Sequence, residues 1–235
     1  MKLRYIIKYI KDYIRLGFNS DGNSKFSKII LKKIKKGIYL DIGCYHPIKE
    51  SNTALLYKNG WSGINIDISE ETIEMFKIFR PNDKNLFLGI SIKNGYQKAY
   101  FEKSISTLSS LDKTYLNRQG RKNLIIKKVK VLTLKSLRKK HNIKKLDFLK
   151  IDCENIDMSI IMKSSLKDLD SNYLCLEILP SEIYGWKNYK FPPKSNKKYY
   201  RNYFLKSAVY KKLKKKFIFI DNDQATFFLK KKKLF

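Results

Sequence analysis

The 235-residue chain is poor in cysteine, and its cysteines are badly spaced for covalent or metal chemistry. Cys44, Cys153 and Cys175 stand far apart, each inside an apolar run. An odd number with no CxxC pair and no Cys/His spacing excludes a disulfide framework and a zinc module. It fits buried thiols in a reducing compartment. Long apolar stretches are missing as well: no run nears the ~20 residues that cross a bilayer. The opening "MKLRYIIKYIKDYIRLGF" carries charges every few residues, unlike a signal peptide. Neither GxGxxG nor GxxxxGK followed by Ser or Thr occurs, so no nest of backbone N–H groups is available for a pyrophosphate or triphosphate.

Arginine is scarce. It accounts for seven of 51 basic residues, the rest being lysine, against 21 acidic ones. The formal charge of +30 therefore owes as much to a lysine-, isoleucine- and asparagine-rich composition as to a basic recognition surface. A sequence-reading nucleic-acid protein would carry arginine forks for bidentate contacts. A nucleic-acid-binding protein or RNA methyltransferase exploiting the charge is kept as the alternative reading, and no specific nucleic acid is expected. The N-terminal segment places Leu3, Ile6, Ile7, Ile10, Tyr13 and Ile14 on one helical face and lysines largely on the other. Such a helix packs on a domain or lies on a membrane surface. The expectation is a cytoplasmic protein, with peripheral contact at the inner face of the membrane as an option.

What is present alternates. The runs "GIYLDI" (37–42), "GINIDI" (63–68), "NLFLGI" (85–90), "LDFLKID" (146–152) and "NYLCLEI" (172–178) read as strands buried on both faces of a parallel sheet. Amphipathic segments lie between them. Ser51 is placed to cap "NTALLYKNG", Ser69 to cap "EETIEMFKIF", and residues 133–141 and 155–169 supply two further helices. Repeated β-α-β units imply a doubly wound α/β sheet. Residues 1–36 read as a basic amphipathic extension and 37–235 as one domain with insertions at about 96–132 and 181–215. The first insertion suggests two extra short strands, the second an irregular surface segment. The closing "KKFIFIDNDQATFFLKKK" reads as an antiparallel hairpin.

In such a sheet ligands sit at the carboxyl ends of the strands, beside the switch point. Strand one ends at Asp41-Ile42-Gly43, where glycine permits close approach. Strand two ends at Asp67-Ile68, suited to ribose hydroxyls, and strand three at Ile90-Ser91, where an adenine could pack. A ribose and adenine without phosphates suit this pattern best, and S-adenosylmethionine (SAM) is the common ligand of that kind.

The segments "YLDIGCYHP", "SNTALLYKNGWSGINID", "SISTLSS" and "TLKSLRKKHNIKKLDFLKIDCEN" occur in an order and spacing that resemble the FkbM family of SAM-dependent methyltransferases, over about residues 20–180. The resemblance implies a mostly parallel, seven-stranded Rossmann-like sheet of order 3-2-1-4-5-7-6 with a terminal antiparallel hairpin. It also implies methylation of a hydroxyl, with sugars, surface polysaccharides or secondary metabolites as acceptors. Asp41, Gly43 and Cys44 then correspond to the SAM loop, Asp67 with Ile68 to the ribose site, and Ile90 with Ser91 to the adenine edge. Asp152 and Glu154 match the segment beside donor and acceptor. Asn155 stands where the family has glycine, and Asp157 where glutamate is common.

A hydroxyl acceptor needs alignment and a base. The candidates are Asp152, Glu154 and His46, the last with an ordinary pKa near ~6.5 but equally readable as a histidine that orders the turn before Pro47. Asp152 and Glu154 could also hold a divalent cation; with no third ligand evident, no metal site is assigned. Ser104, Ser106 and Thr107 are read as a substrate-side lid, with a plain hydroxyl-rich loop as the alternative. Trp61 is read as a packing residue and Trp186 as a packing residue or sugar platform.

Overall fold

The computed structural model describes residues 24–103, 106–185 and 196–233, together with Leu3 and Ile7. The N-terminal amphipathic segment, apart from those two positions, and Ser104 and Trp186 lie outside the described residues.

The β-rich runs form where expected. β1 (Ile38–Ile42) pairs in parallel with β2 (Ser62–Asp67) on one side and β8 (Phe148–Ile151) on the other. β3 (Lys84–Phe87) adds in parallel to β2, and β9 (Tyr173–Glu177) to β8. The hairpin β10 (Phe217–Asp223) and β11 (Thr226–Lys231) closes the sheet, β11 running antiparallel to β9. The order is β3-β2-β1-β8-β9-β11-β10. In chain-wide numbering this differs from the expected 3-2-1-4-5-7-6, because four strands of a second sheet intervene between β3 and β8. Numbering only the strands of the large sheet reads 3-2-1-4-5-7-6 from the β3 edge.

Alternate residues of each strand face different helices. Leu40, Ile42, Leu149, Ile151, Leu174 and Leu176 pack on one side, against α5 (Leu134–Lys140), α6 (Asp157–Lys163), α8 (Lys197–Lys206) and α9 (Ala208–Leu213). On the other, Tyr39, Phe148, Tyr173, Cys175 and Phe228 meet α1 (Ser24–Leu31) and α2 (Ala54–Lys58). Phe26 of α1 stacks on Phe228, ring centroids 4.7 Å apart. Each fully buried side chain of this size contributes about 1.5–3 kcal/mol relative to exposure. Residues 196–213, read from the sequence as part of an irregular insertion, are helical instead: Asn196 and Ser207 cap α8 and α9 through their side chains, and Tyr203 and Phe204 are buried against the sheet.

The apolar run 85–90 does not stay in one strand. It breaks at Leu88, whose N–H donates to the Asp67 carbonyl, and β4 (Gly89–Ile90) leaves for the second sheet. That sheet, ordered β4-β7-β5-β6, joins β4 to β5 (Gly95–Phe101), β6 (Ser109–Ser110) and β7 (Ile125–Leu132). Its inner face carries Ala99, Phe101, Val129 and Val131 towards Ile68 and Leu111. α3 (Glu70–Phe79) is capped by the Ser69 hydroxyl, as expected; α4 (Lys113–Arg118) is capped by Asp112. Among the described residues no helix is long and apolar enough to cross a membrane.

Candidate active site

The order β2-β1-β8 puts the switch point between β1 and β8, and the cavity opens there. It encloses about 310 Å³. The ends of β1, β2, β8 and β9 form its floor, and Ser106, Thr107 and Ser109 beside β6 form its opposite wall.

Gly43 sets the closest approach. Its φ is +73°, and a Cβ there would lie 1.7 Å from the Asp152 carbonyl oxygen, so only glycine lets β1 and β8 splay at this point. The turn is held by Gly43 N–H and Cys44 N–H donating to the Ile66 carbonyl at 2.9 and 3.2 Å. The loop that follows is fastened from below by Arg80 at the end of α3. This buried guanidinium donates to Thr53 Oγ1 at 2.8 Å, to Ser51 Oγ at 2.9 Å and to the Pro47 carbonyl. Ser51 also accepts the Ala54 N–H at 3.1 Å, which orders the entry to α2.

Asp67, at the end of β2, lines the cavity and is aimed by two backbone donors. Its Oδ2 accepts Tyr45 N–H at 3.0 Å and its Oδ1 accepts Ser69 N–H at 2.8 Å. Each oxygen keeps a lone pair for a hydroxyl donor. Burial raises its pKa to about 6 against those two hydrogen bonds. Ile68 and Ile90 line the adjoining apolar wall.

Four sequence-selected residues are placed elsewhere. Asp41 is buried beneath the floor: it accepts Thr53 Oγ1–H at 2.6 Å and lies 3.6 Å from Lys150 Nζ, so it anchors the loop instead of lining the cavity. The Cys44 thiol packs against Ile73 and Phe76. His46 is fully buried and off the cavity; its Nδ1 accepts the N–H groups of Ile48 and Lys49 at 3.0 and 2.9 Å, the turn-ordering role. Ser91 is turned to Gln97, whose Nε2 donates to its Oγ at 3.0 Å. In each case the side chain is held by a polar or apolar anchor away from the cavity.

Asp152 and Glu154 line the cavity, and the fold adds a third acid from the end of β9, Glu177. One carboxylate oxygen from each lies within 4.8 Å of the others. This supplies the third hard-oxygen ligand that the sequence did not reveal, and such a set could hold a divalent cation. Glu154 and Asn155 occupy left-handed backbone (φ +55° and +73°), so the position where the family has glycine keeps a glycine-like conformation with asparagine. Asn155 is fixed by donating to Asp112 Oδ2 at 2.8 Å and accepting Ser181 Oγ–H at 2.9 Å. Tyr115 O–H donates to Glu154 Oε2 at 2.5 Å. Burial, then the nearby Asp152 charge, lifts Glu154 to about pKa 8, and burial with the same neighbour raises Glu177 well above the usual carboxylate range.

Lys150, from the middle of "DFLKID", was also not singled out by the sequence. Its Nζ donates to the Gly43 carbonyl at 2.7 Å and lies 3.2 Å from Asp152 Oδ2. Burial alone would discharge it; Asp152 and Asp41 outweigh that and raise its pKa. Trp61 is a packing residue, buried, with Nε1–H donating to the Lys35 carbonyl at 3.2 Å.

The model of the FkbM methyltransferase domain matches residues 41–212, which includes the cavity floor and the acids. The chain belongs to the FkbM methyltransferase family. No curated protein matches it. The family match supports methyl transfer and lends none to the nucleic-acid alternative.

Proposed function

We propose that this FkbM-family protein is a SAM-dependent O-methyltransferase acting on a hydroxyl of a sugar or glycan-like acceptor. The observation that carries the reading is the cavity itself: a glycine-limited turn at Gly43, an aimed carboxylate at Asp67 and an apolar wall at Ile68 and Ile90, without a phosphate nest. These features fit SAM. Gly43 would admit its backbone-proximal part, Asp67 would accept the ribose hydroxyls, and Ile68 with Ile90 would face the adenine. When bound, SAM supplies an electrophilic methyl group on sulfur.

The chain's own residues supply alignment and a base. Glu154 faces the cavity with a carboxyl poised near neutral pH, the range in which a base both exists ionised and still accepts a proton. Tyr115 holds it there. A hydroxyl aligned with the donor would give up its proton to Glu154 as it takes the methyl group. Ser106, Thr107 and Ser109 offer hydroxyls on the facing wall to orient a polar acceptor.

The test is methyl transfer from isotopically labelled SAM to a panel of glycans, with products located by mass spectrometry. Methyl ethers on sugar hydroxyls are expected. Label found only on amines or on nucleic acid would sink the acceptor assignment.

A further inference from the structure

The charge of the cavity is the reverse of the charge of the chain. The whole sequence holds 51 basic against 21 acidic residues, yet among the described residues the cavity lining holds Glu50, Asp67, Asp152, Glu154 and Glu177 against Lys150 alone. Lys150 is already engaged, donating to the Gly43 carbonyl and flanked by Asp41 and Asp152. We infer that the Asp152–Glu154–Glu177 cluster makes the cavity selective for the charge of its cofactor, holding the sulfonium SAM in preference to its uncharged-sulfur product, S-adenosylhomocysteine (SAH). The inference rests on the SAM reading above. It assigns Glu177, which the family pattern did not mark, and gives the cluster a role in releasing product.

The physical reason is the asymmetry of SAM and SAH. They share ribose, adenine, ammonium and carboxylate, and differ by one methyl and one positive charge. Interactions with Asp67 or the apolar wall therefore act on both almost equally and cannot separate them. Carboxylates gathered within 4.8 Å, in a cavity of low dielectric, act on the added charge alone. Groups behind the cluster sharpen this. Asp157 is fully buried, with Oδ1 accepting the Cys153 N–H at 2.8 Å and Oδ2 without a hydrogen-bond partner. Glu182 of α7 (Pro180–Tyr184) accepts the Met158 N–H at 2.9 Å, and Asp112 stands at the start of α4. Burial raises the pKa of Asp157 and Glu182, so these carboxyls add negative charge only in part.

Lys150 stays charged beside the cluster: burial would lower its pKa, but Asp152 and Asp41 outweigh that and raise it. The ammonium and carboxylate that SAM and SAH share meet the same surroundings in both ligands and cancel in the ratio.

The experiment is calorimetric titration of the full chain with SAM, SAH and sinefungin, which carries an amine in place of the methyl sulfonium. The wild type should bind SAM and sinefungin about tenfold or more tighter than SAH. Glu177→Gln and Glu154→Gln should shrink the ratio while leaving SAH binding intact, which also shows that the variants fold. A purely structural role would weaken all three ligands alike and overturn the inference. Equal affinities for SAM and SAH in the wild type would overturn it without any variant. Absence of binding by all three ligands would remove the SAM reading, and this inference with it.

Discussion

The carboxyls of this protein live in two settings, and the contrast explains much of its chemistry. On the surface, Asp170 is held by Lys216 and Lys231 at 2.8 and 2.7 Å, and Asp221 by Lys197 at 2.5 Å; for each, burial pushes the pKa up, but the lysines outweigh it and the net shift is downward. In the cavity, Asp67, Glu154, Glu177 and the flanking Asp157 and Glu182 shift upward, with burial the first cause in every case. The same side-chain chemistry is neutralised by lysine outside and left short of lysine inside. Concentrating acid in one hollow of a +30 chain costs stability and has to be maintained by the fold.

The largest expected effect comes from closing the hollow. Gly43→Ala places a Cβ onto the Asp152 carbonyl and into left-handed backbone. It should destabilise the protein by about 3 kcal/mol or more and abolish SAH binding, read by chemical denaturation and calorimetry. Arg80→Leu removes the buried guanidinium that ties Thr53, Ser51 and Pro47 together. A loss of about 3 kcal/mol is expected, and retention of full stability would show that the loop holds its shape without the clamp. Asp67→Ala should leave folding largely intact and weaken SAH binding about 100-fold, as expected for losing hydrogen bonds to a charged acceptor.

The pH dependence separates the two settings. A folded-state carboxyl raised above its unfolded value gives stability that is present at low pH and lost as pH rises through the folded pKa. For the cavity each loss starts above the ordinary carboxyl value near ~4 and is complete by about 6 for Asp67, about 7 for Glu182 and about 8 for Glu154. The surface pairs, with lowered values, lose their contribution only as pH falls through their folded pKa. The thermal midpoint of the ligand-free protein should therefore fall by several degrees between about pH 6 and about pH 8.5. A rise over that interval would mean that the cavity acids are stably ionised. The smallest effect is expected outside: Lys231→Ala should cost less than about 1 kcal/mol, because Lys216 still pairs with the partly exposed Asp170.

The sequence revealed most of the frame and about half of the site, and the reason differs for each. Strands buried on both faces announce themselves as unbroken apolar runs, so β1, β2, β8 and β9 were legible, as was the closing hairpin, although its turn falls at Gln224 and Ala225 with Asp221–Asp223 still inside β10. The break at Leu88 was not, because it depends on β4 finding β7 across some forty residues of chain. Capping serine and paired hydrophobic faces disclosed α3. The helices α8 and α9 were hidden by lysine and tyrosine, which mask a buried face formed by Tyr203, Phe204, Val209 and Leu213.

At the site, position at a strand end predicted which backbone nears the cavity but not where its side chain points. Asp67 and Asp41 look alike in sequence, two residues of one type ending two apolar runs. One faces the hollow and the other a lysine below it. Lys150 and Glu177 escaped notice because each reads as a strand residue, and their meaning comes largely from residues on other strand ends: Gly43 and Asp41 for Lys150, Asp152 and Glu154 for Glu177. The available clue was charge in a run otherwise built for burial on both faces: a lysine in "FLKI" and a glutamate ending "YLCLE" must find partners.

Co-crystallisation with SAH tests the central claim most directly, since it locates the ligand as well as detecting it. The expected result is density at the carboxyl ends of β1, β2 and β8, with ribose hydroxyls on Asp67, adenine against Ile68 and Ile90, and the sulfur beside Asp152 and Glu154. Density on the lysine-rich exterior with an empty cavity, or no ligand at saturating SAH, would contradict it.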